Sequence, residues 1–152
     1  MRHVILFLLL CFAPTSYAEG FLDRLPSLGG AKQEVILQPD QAFGLDVSAR
    51  DGHTLLASFR IAPGYYLYRD KMKLSLEPGA LAAAPVLPAG KIKDDEFFGR
   101  VETYRGRLVL RLSLAVPAPG TSVTLKAESQ GCADAGVCYP PQTQTVNVEL
   151  PA

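Results

Sequence analysis

The chain has 152 residues, and fifteen Lys and Arg balance fifteen Asp and Glu. This length fits one domain with one core. A neutral balance gives no electrostatic footprint for nucleic acid or an anionic membrane surface. The chain begins Met1-Arg2-His3 and then runs almost without polar residues from Val4 to Phe12, with small residues at Ser16 and Ala18. This is the pattern of a secretory signal peptide cleaved after Ala18, which divides the chain into a leader, 1–18, and one domain, 19–152. The apolar run is too short for a spanning helix, which needs about 20 residues. Cys11 falls inside the leader, and Leu10 before it is not the small residue that lipoprotein processing wants.

Residues 19–34 contain Pro26 and Gly29-Gly30, show little periodicity, and read as a surface arm. Phe43, Leu45, Val47 and Ala49 then alternate with small or polar residues, as do Leu55, Ala57, Phe59 and Ile61. This period of two marks half-buried strands, and Asp51-Gly52 between them is a hairpin turn signal. After Pro63-Gly64, residues 65–76 resume in extended form, with Met72, Leu74 and Leu76 on one face, until Pro78-Gly79. Residues 80–90 read as an irregular connection with a short strand at Pro85-Val86-Leu87. Leu108, Leu110, Leu112, Leu114 and Val116 form the cleanest alternation, and two further strands are marked by Val123, Leu125 and Ala127 and by Val146, Val148 and Leu150. Short strands with Gly and Pro turns and no sustained helical period predict an antiparallel β-sandwich.

Between the last two strands lies Gln130-Gly131-Cys132-Ala133-Asp134-Ala135-Gly136-Val137-Cys138-Tyr139-Pro140-Pro141. The flanking strands put the two thiols at the mouth of a hairpin, one on each arm, where a disulfide can form. The pair has three readings: a reversible disulfide, a structural staple of an exported domain, or a metal site. A staple closing so short a loop contributes only about 2–3 kcal/mol on the chain-entropy model. A metal site is short of ligands, because structural zinc usually takes four Cys or His and His53 is the one histidine outside the leader. No metal or other cofactor is expected.

The same twelve residues resemble the active-site segment of the amino-terminal periplasmic domain of DsbD, the thiol:disulfide interchange protein of Gram-negative bacteria. Three other segments resemble that family in the same order: Pro39-Asp40-Gln41-Ala42-Phe43; Gly64-Tyr65-Tyr66-Leu67-Tyr68-Arg69; and Asp95-Glu96-Phe97-Phe98-Gly99 followed by Glu102, Tyr104 and Arg105. The resemblance implies an immunoglobulin-like sandwich in the periplasm, either stand-alone or the soluble part of an inner-membrane protein. It implies a monomeric protein-disulfide reductase domain whose reversible Cys132–Cys138 disulfide takes electrons from a thioredoxin-like donor. The acceptors would be a periplasmic disulfide isomerase or a cytochrome c maturation thioredoxin. Cys138 would form the mixed disulfide and Cys132 would resolve it. Asp95–Gly99 would be a cap loop, with Phe97 lying over the disulfide, and Tyr66 and Tyr68 would line the site and bond cap carboxylates. The competing function is an exported binding module with an inert disulfide. Taken on their own, Phe97 and Phe98 could instead both pack inward. The local charge argues against an activated thiolate: residues 131–141 hold no Lys, Arg or His but do hold Asp134, and thiolates are stabilised by cations or helix N-termini.

Overall fold

The computed structural model describes residues 35–116 and 118–152. The leader, Cys11 and the arm at 19–34 lie outside the described residues. A single helical turn, α1 (Pro39–Ala42), opens on Pro39, whose fixed φ and missing N–H suit a first helical position. Ten strands follow: β1 (Phe43–Asp51), β2 (Thr54–Ile61), β3 (Tyr65–Tyr68), β4 (Lys73–Glu77), β5 (Lys91–Asp95), β6 (Gly99–Tyr104), β7 (Arg107–Ser113), β8 (Ser122–Ser129), β9 (Gly131–Ala133) and β10 (Gln142–Glu149). All pairings are antiparallel.

One sheet has the order β1-β2-β7, the second β10-β8-β4, and the third β5-β6-β3-β9. The alternating residues fill the core as the pattern requires. Leu55, Ala57, Phe59, Leu108, Leu110 and Leu112 of the first sheet are buried in one cluster with Leu76, Val123, Leu125, Ala127 and Val148 of the second. The result is an immunoglobulin-like β-sandwich. β1 and β2 form the expected hairpin, but it turns at Gly52-His53, one residue later than Asp51-Gly52, because Asp51 still faces Thr54 in the ladder.

Two further expectations need correction. Residues 65–76 are not one strand, because the 3-10 turn Arg69–Lys71 separates β3 from β4 and the two join different sheets. That break sends Tyr66 and Tyr68 towards the cysteines and leaves Met72 and Leu76 in the main core. Nor does Pro85-Val86-Leu87 form a strand. Pro85 and Pro88 remove ladder donors there, and Val86 projects into solvent. This irregular connection is tied down instead by Arg69, which donates to the Pro88 and Leu87 carbonyls, and by the Tyr104 hydroxyl, which donates to the Pro88 carbonyl at 2.5 Å.

Candidate functional site

The site lies at the end of the β5-β6-β3-β9 sheet. β8 and β10 form a hairpin with Ser129 opposite Gln142 at its mouth, but the cysteines do not sit on its two arms as expected. Between Ser129 and Gln142 the chain leaves their sheet, and β9 adds to β3, with Cys132 opposite Tyr66 and Gly131 opposite Leu67. Gly136, at φ 85°, turns the chain, and Cys138 returns opposite Cys132. Ala133 N–H donates to the Val137 carbonyl at 2.8 Å and Tyr139 N–H to the Gly131 carbonyl at 3.0 Å. These bonds flank the cysteines without joining them, so the cysteines are a non-hydrogen-bonded pair, in which the side chains approach most closely. Their Cα atoms are 4.0 Å apart and the sulfurs are bonded. Gly131 lets β9 lie close against β3 and the core, because a Cβ there would meet the Tyr66 carbonyl oxygen and come within 2.8 Å of the Phe43 ring.

Facing this pair is the β5–β6 hairpin, whose turn is formed by residues 96–98. Gly99 closes it at φ 69°, a left-handed conformation that favours glycine, and pairs with Asp95. Asp95 is buried and uses both of its oxygens. Oδ1 accepts the N–H groups of Phe97 at 2.9 Å and Phe98 at 3.2 Å. Oδ2 accepts from Tyr66 Oη at 3.0 Å, Tyr68 Oη at 2.8 Å and Lys93 Nζ at 3.4 Å. One carboxylate thus holds the hairpin tip and both tyrosines. Tyr68 Oη also lies 3.1 Å from Cys132 Sγ and 4.0 Å from Cys138 Sγ.

Burial pushes the Asp95 carboxyl up, but the bonds from Phe97 N–H, Tyr68, Tyr66 and Phe98 N–H outweigh it and hold the pKa at about 2. Burial, with Asp95 and Tyr66 alongside, pushes the Tyr68 phenol up, so it stays a neutral donor. A carboxylate held below its ordinary value of 3.8 stabilises the fold fully above that value, and this contribution is lost as pH falls through about 2. The domain is therefore expected to lose on the order of 2 kcal/mol from this group between about pH 4 and pH 2. Asp95→Asn should lack that component. Urea midpoints across the window for both proteins check it, and parallel curves would count against it.

The two phenylalanines of the turn do not pack inward. Phe97 is 63% exposed and Phe98 42%. Phe97 lines a cavity of about 160 Å³ together with Cys138, Tyr66, Asp95, Glu96 and Asp134. Phe98 sets its ring edge-on to Tyr68 at 5.1 Å, with Lys71 Nζ 4.6 Å from its centre. The two sulfurs are unequal: Cys132 has no exposed surface, whereas Cys138 is half-buried and lines the cavity. Every residue singled out from the sequence, Cys132, Cys138, Tyr66, Tyr68, Asp95, Glu96, Phe97, Phe98 and Gly99, falls in this one neighbourhood.

The expected local charge needs correction. Asp134 is held by Arg105 through two bonds of 2.8 and 2.6 Å, and the Arg105 guanidinium lies 5.0 Å from the Tyr66 ring centre. That partner keeps the Asp134 carboxyl below its ordinary range. Lys93 Nζ also lies over the Tyr66 ring, 4.9 Å from its centre, and Lys93 lines the cavity that holds Cys138. Lys93 lies on β5 and Arg105 just past the end of β6, so a reading confined to the cysteine segment misses them.

The fold and the site together define an immunoglobulin-like sandwich whose cross-strand disulfide is set beside buried tyrosines and a hairpin tip. The family model for the thiol:disulfide interchange protein DsbD, N-terminal, matches residues 33–150, and the chain belongs to that family. It is 40% identical over 146 residues to the thiol:disulfide interchange protein DsbD of Cronobacter sakazakii, covering 96% of this chain and 24% of that protein. To the DsbD of Ralstonia nicotianae it is 44% identical over 115 residues, covering 74% of this chain and 19% of that protein. The chain therefore spans about a quarter or less of the length of these relatives. Among solved structures it is similar to the Neisseria meningitidis DsbD N-terminal domain in the reduced form, with TM-score 0.67 and 34% identity over 77% of this chain and 92% of that one. It is also similar to a structure of the complex between the DsbD and PilB N-terminal domains of Neisseria meningitidis, with TM-score 0.63 and 35% identity over 74% of this chain and 87% of that one.

Proposed function

We propose that this domain is a periplasmic two-electron carrier, exported by residues 1–18, acting as the protein-disulfide reductase domain of a larger or multi-component system. It takes electrons from a thioredoxin-like donor and passes them to periplasmic disulfide proteins, such as a disulfide isomerase or a cytochrome c maturation thioredoxin. The observation that carries this reading is the unequal access to the two sulfurs. A partner thiolate can approach Cys138 from the cavity, whereas Cys132 has no exposed surface.

Exchange proceeds by attack of a thiolate on one sulfur of a disulfide, with the other sulfur leaving. The donor thiolate attacks Cys138 Sγ, the Cys132–Cys138 bond breaks, and Cys132 departs as a thiolate beside the Tyr68 hydroxyl. The donor's second thiol then displaces Cys138, leaving two reduced cysteines here and a disulfide in the donor. In the forward transfer, the Cys138 thiolate attacks the acceptor's disulfide and Cys132 displaces the acceptor. Phe97 serves as a lid on the approach to Cys138, and the tip of the β5–β6 hairpin moves aside for partners. Phe97, Phe98 and Val137 are exposed apolar side chains of the hairpin tip and the cysteine loop and suit a protein docking surface. The Neisseria relative's complex with another domain supports docking of this kind.

Oxidised domain mixed with excess reduced thioredoxin-like donor should gain two alkylatable thiols, read by mass, while its far-ultraviolet circular dichroism is retained. Failure to gain thiols from a donor that reduces other disulfides would make the bond an inert staple.

A further inference from the structure

Tyr139 follows Cys138 directly, is buried, and has no part in the exchange steps above. It is fixed at four points. Its N–H donates to the Gly131 carbonyl at 3.0 Å, and its carbonyl accepts from Gln130 Nε2 at 3.1 Å. Its ring meets Phe43 edge-on at 5.3 Å and lies 6.3 Å from Tyr65. Its hydroxyl donates to the Leu37 carbonyl at 2.6 Å, and the Leu37 N–H donates to the Tyr65 hydroxyl at 2.9 Å. Two tyrosine hydroxyls therefore grip one residue from both sides. Leu37 lies ahead of α1, outside every strand, so this grip is what ties it to the cysteine arm.

We infer that Tyr139 is a positioning residue for Cys138, which it holds opposite Cys132 by its grip on Leu37 when the disulfide is open. The inference rests on the reversible-disulfide reading. The connection at 134–137 is exposed and turns on Gly136, and Pro140 and Pro141 have no N–H to donate. With the sulfurs unbonded, the bond from Ala133 N–H to the Val137 carbonyl and the four attachments of Tyr139 are left to fix Cys138. Closing the ring again depends on the effective concentration of one thiol at the other, which falls as the geometry loosens. Removing the hydroxyl gives the reduced form freedom that the bonded form cannot use, so the balance shifts towards the dithiol.

Tyr139→Phe keeps the ring and removes the bond to Leu37. Each protein is equilibrated with reduced and oxidised dithiothreitol. A dithiothreitol thiolate attacks Cys138, Cys132 leaves, and the second reagent sulfur displaces Cys138 to give cyclic oxidised dithiothreitol and two protein thiols. The equilibrium constant is read by alkylation. The disulfide of Tyr139→Phe should be about three- to tenfold easier to reduce than that of the unmodified domain, the scale of one lost hydrogen bond, with circular dichroism unchanged. Tyr65→Phe should shift in the same direction. If the unmodified domain titrates and both variants match it, the positioning role is wrong and the redox reading stands. If the unmodified disulfide resists every ratio, or opens only on unfolding, the redox reading fails and takes this inference with it. Should Tyr139→Phe not fold, Tyr65→Phe decides; if neither folds, the grip on Leu37 belongs to folding and the inference is overturned.

Discussion

Cys132→Ala is expected to capture a thioredoxin-like partner in near-stoichiometric yield, whereas Cys138→Ala captures almost none. The partner is reduced to its single nucleophilic cysteine and activated with thionitrobenzoate. The Cys138 thiolate then displaces thionitrobenzoate and leaves a covalent complex that cannot be resolved, because Cys132 is absent. The argument is one of access. Attack must run along the line of the bond being broken, and Cys138 lies on the cavity wall whereas Cys132 has no exposed surface. The lone Cys132 of Cys138→Ala stays under Tyr68, whose hydroxyl is 3.1 Å from its sulfur. A non-reducing gel reads both outcomes, and dithiothreitol should release the complex. Capture by Cys138→Ala alone would exchange the two roles, and capture by neither would leave the staple.

The parts of the fold legible in the sequence are those with one face buried. β7 and β8 bury alternate residues, so their period of two survives in the sequence; β2 is buried on both sides, yet Thr54 and Ser58 among its apolar residues keep the alternation of residue type legible. β5 does not show it: Lys91, Ile92 and Asp94 are all exposed and only Asp95 is buried. A strand at the edge of its sheet has no consistent inner face, and nothing in its hydrophobic pattern announces it. The break at Arg69–Lys71 was hidden for the opposite reason, since apolar residues continue on both sides of it while the sheet they serve changes.

For the site, the resemblance of four short segments is what brings the cysteines, the tyrosines and the 95–99 loop together, since each segment is local; the alternation of Tyr66 and Tyr68 by itself says only that the two share a strand face. The pairing of Arg105 with Asp134 and the bonds that Tyr66 and Tyr68 donate to Asp95 are not local, for they join segments that only the fold brings together. Gly131 belongs with these. Its need for a bare Cα comes from the Phe43 ring and the Tyr66 carbonyl, neither of which lies near it in the chain.

Phe97→Ala is expected to be reduced several-fold faster by dithiothreitol than the unmodified domain, with a stability change within about 0.5 kcal/mol, as for an exposed side chain. Phe59→Ala should do the reverse. Phe59 is fully buried, paired across β2 with Leu45 of β1 and Leu108 of β7, and truncating such a ring leaves a cavity costing about 3–5 kcal/mol. Its reduction rate should be unchanged under conditions where it remains folded, because its ring lies in the main core and not at the sulfurs. Phe97 stands on the wall of the small cavity that reaches Cys138, so its removal widens the approach to that sulfur and opens no interior space. Urea midpoints and reduction rates for both variants separate the two behaviours. Phe98→Ala is the internal comparison. Its ring rests on Tyr68 beneath Lys71, and Tyr68 in turn touches both sulfurs. If Phe98→Ala shows the fast reduction and Phe97→Ala does not, access is governed by the ring that pins Tyr68, and the lid role assigned to Phe97 is wrong.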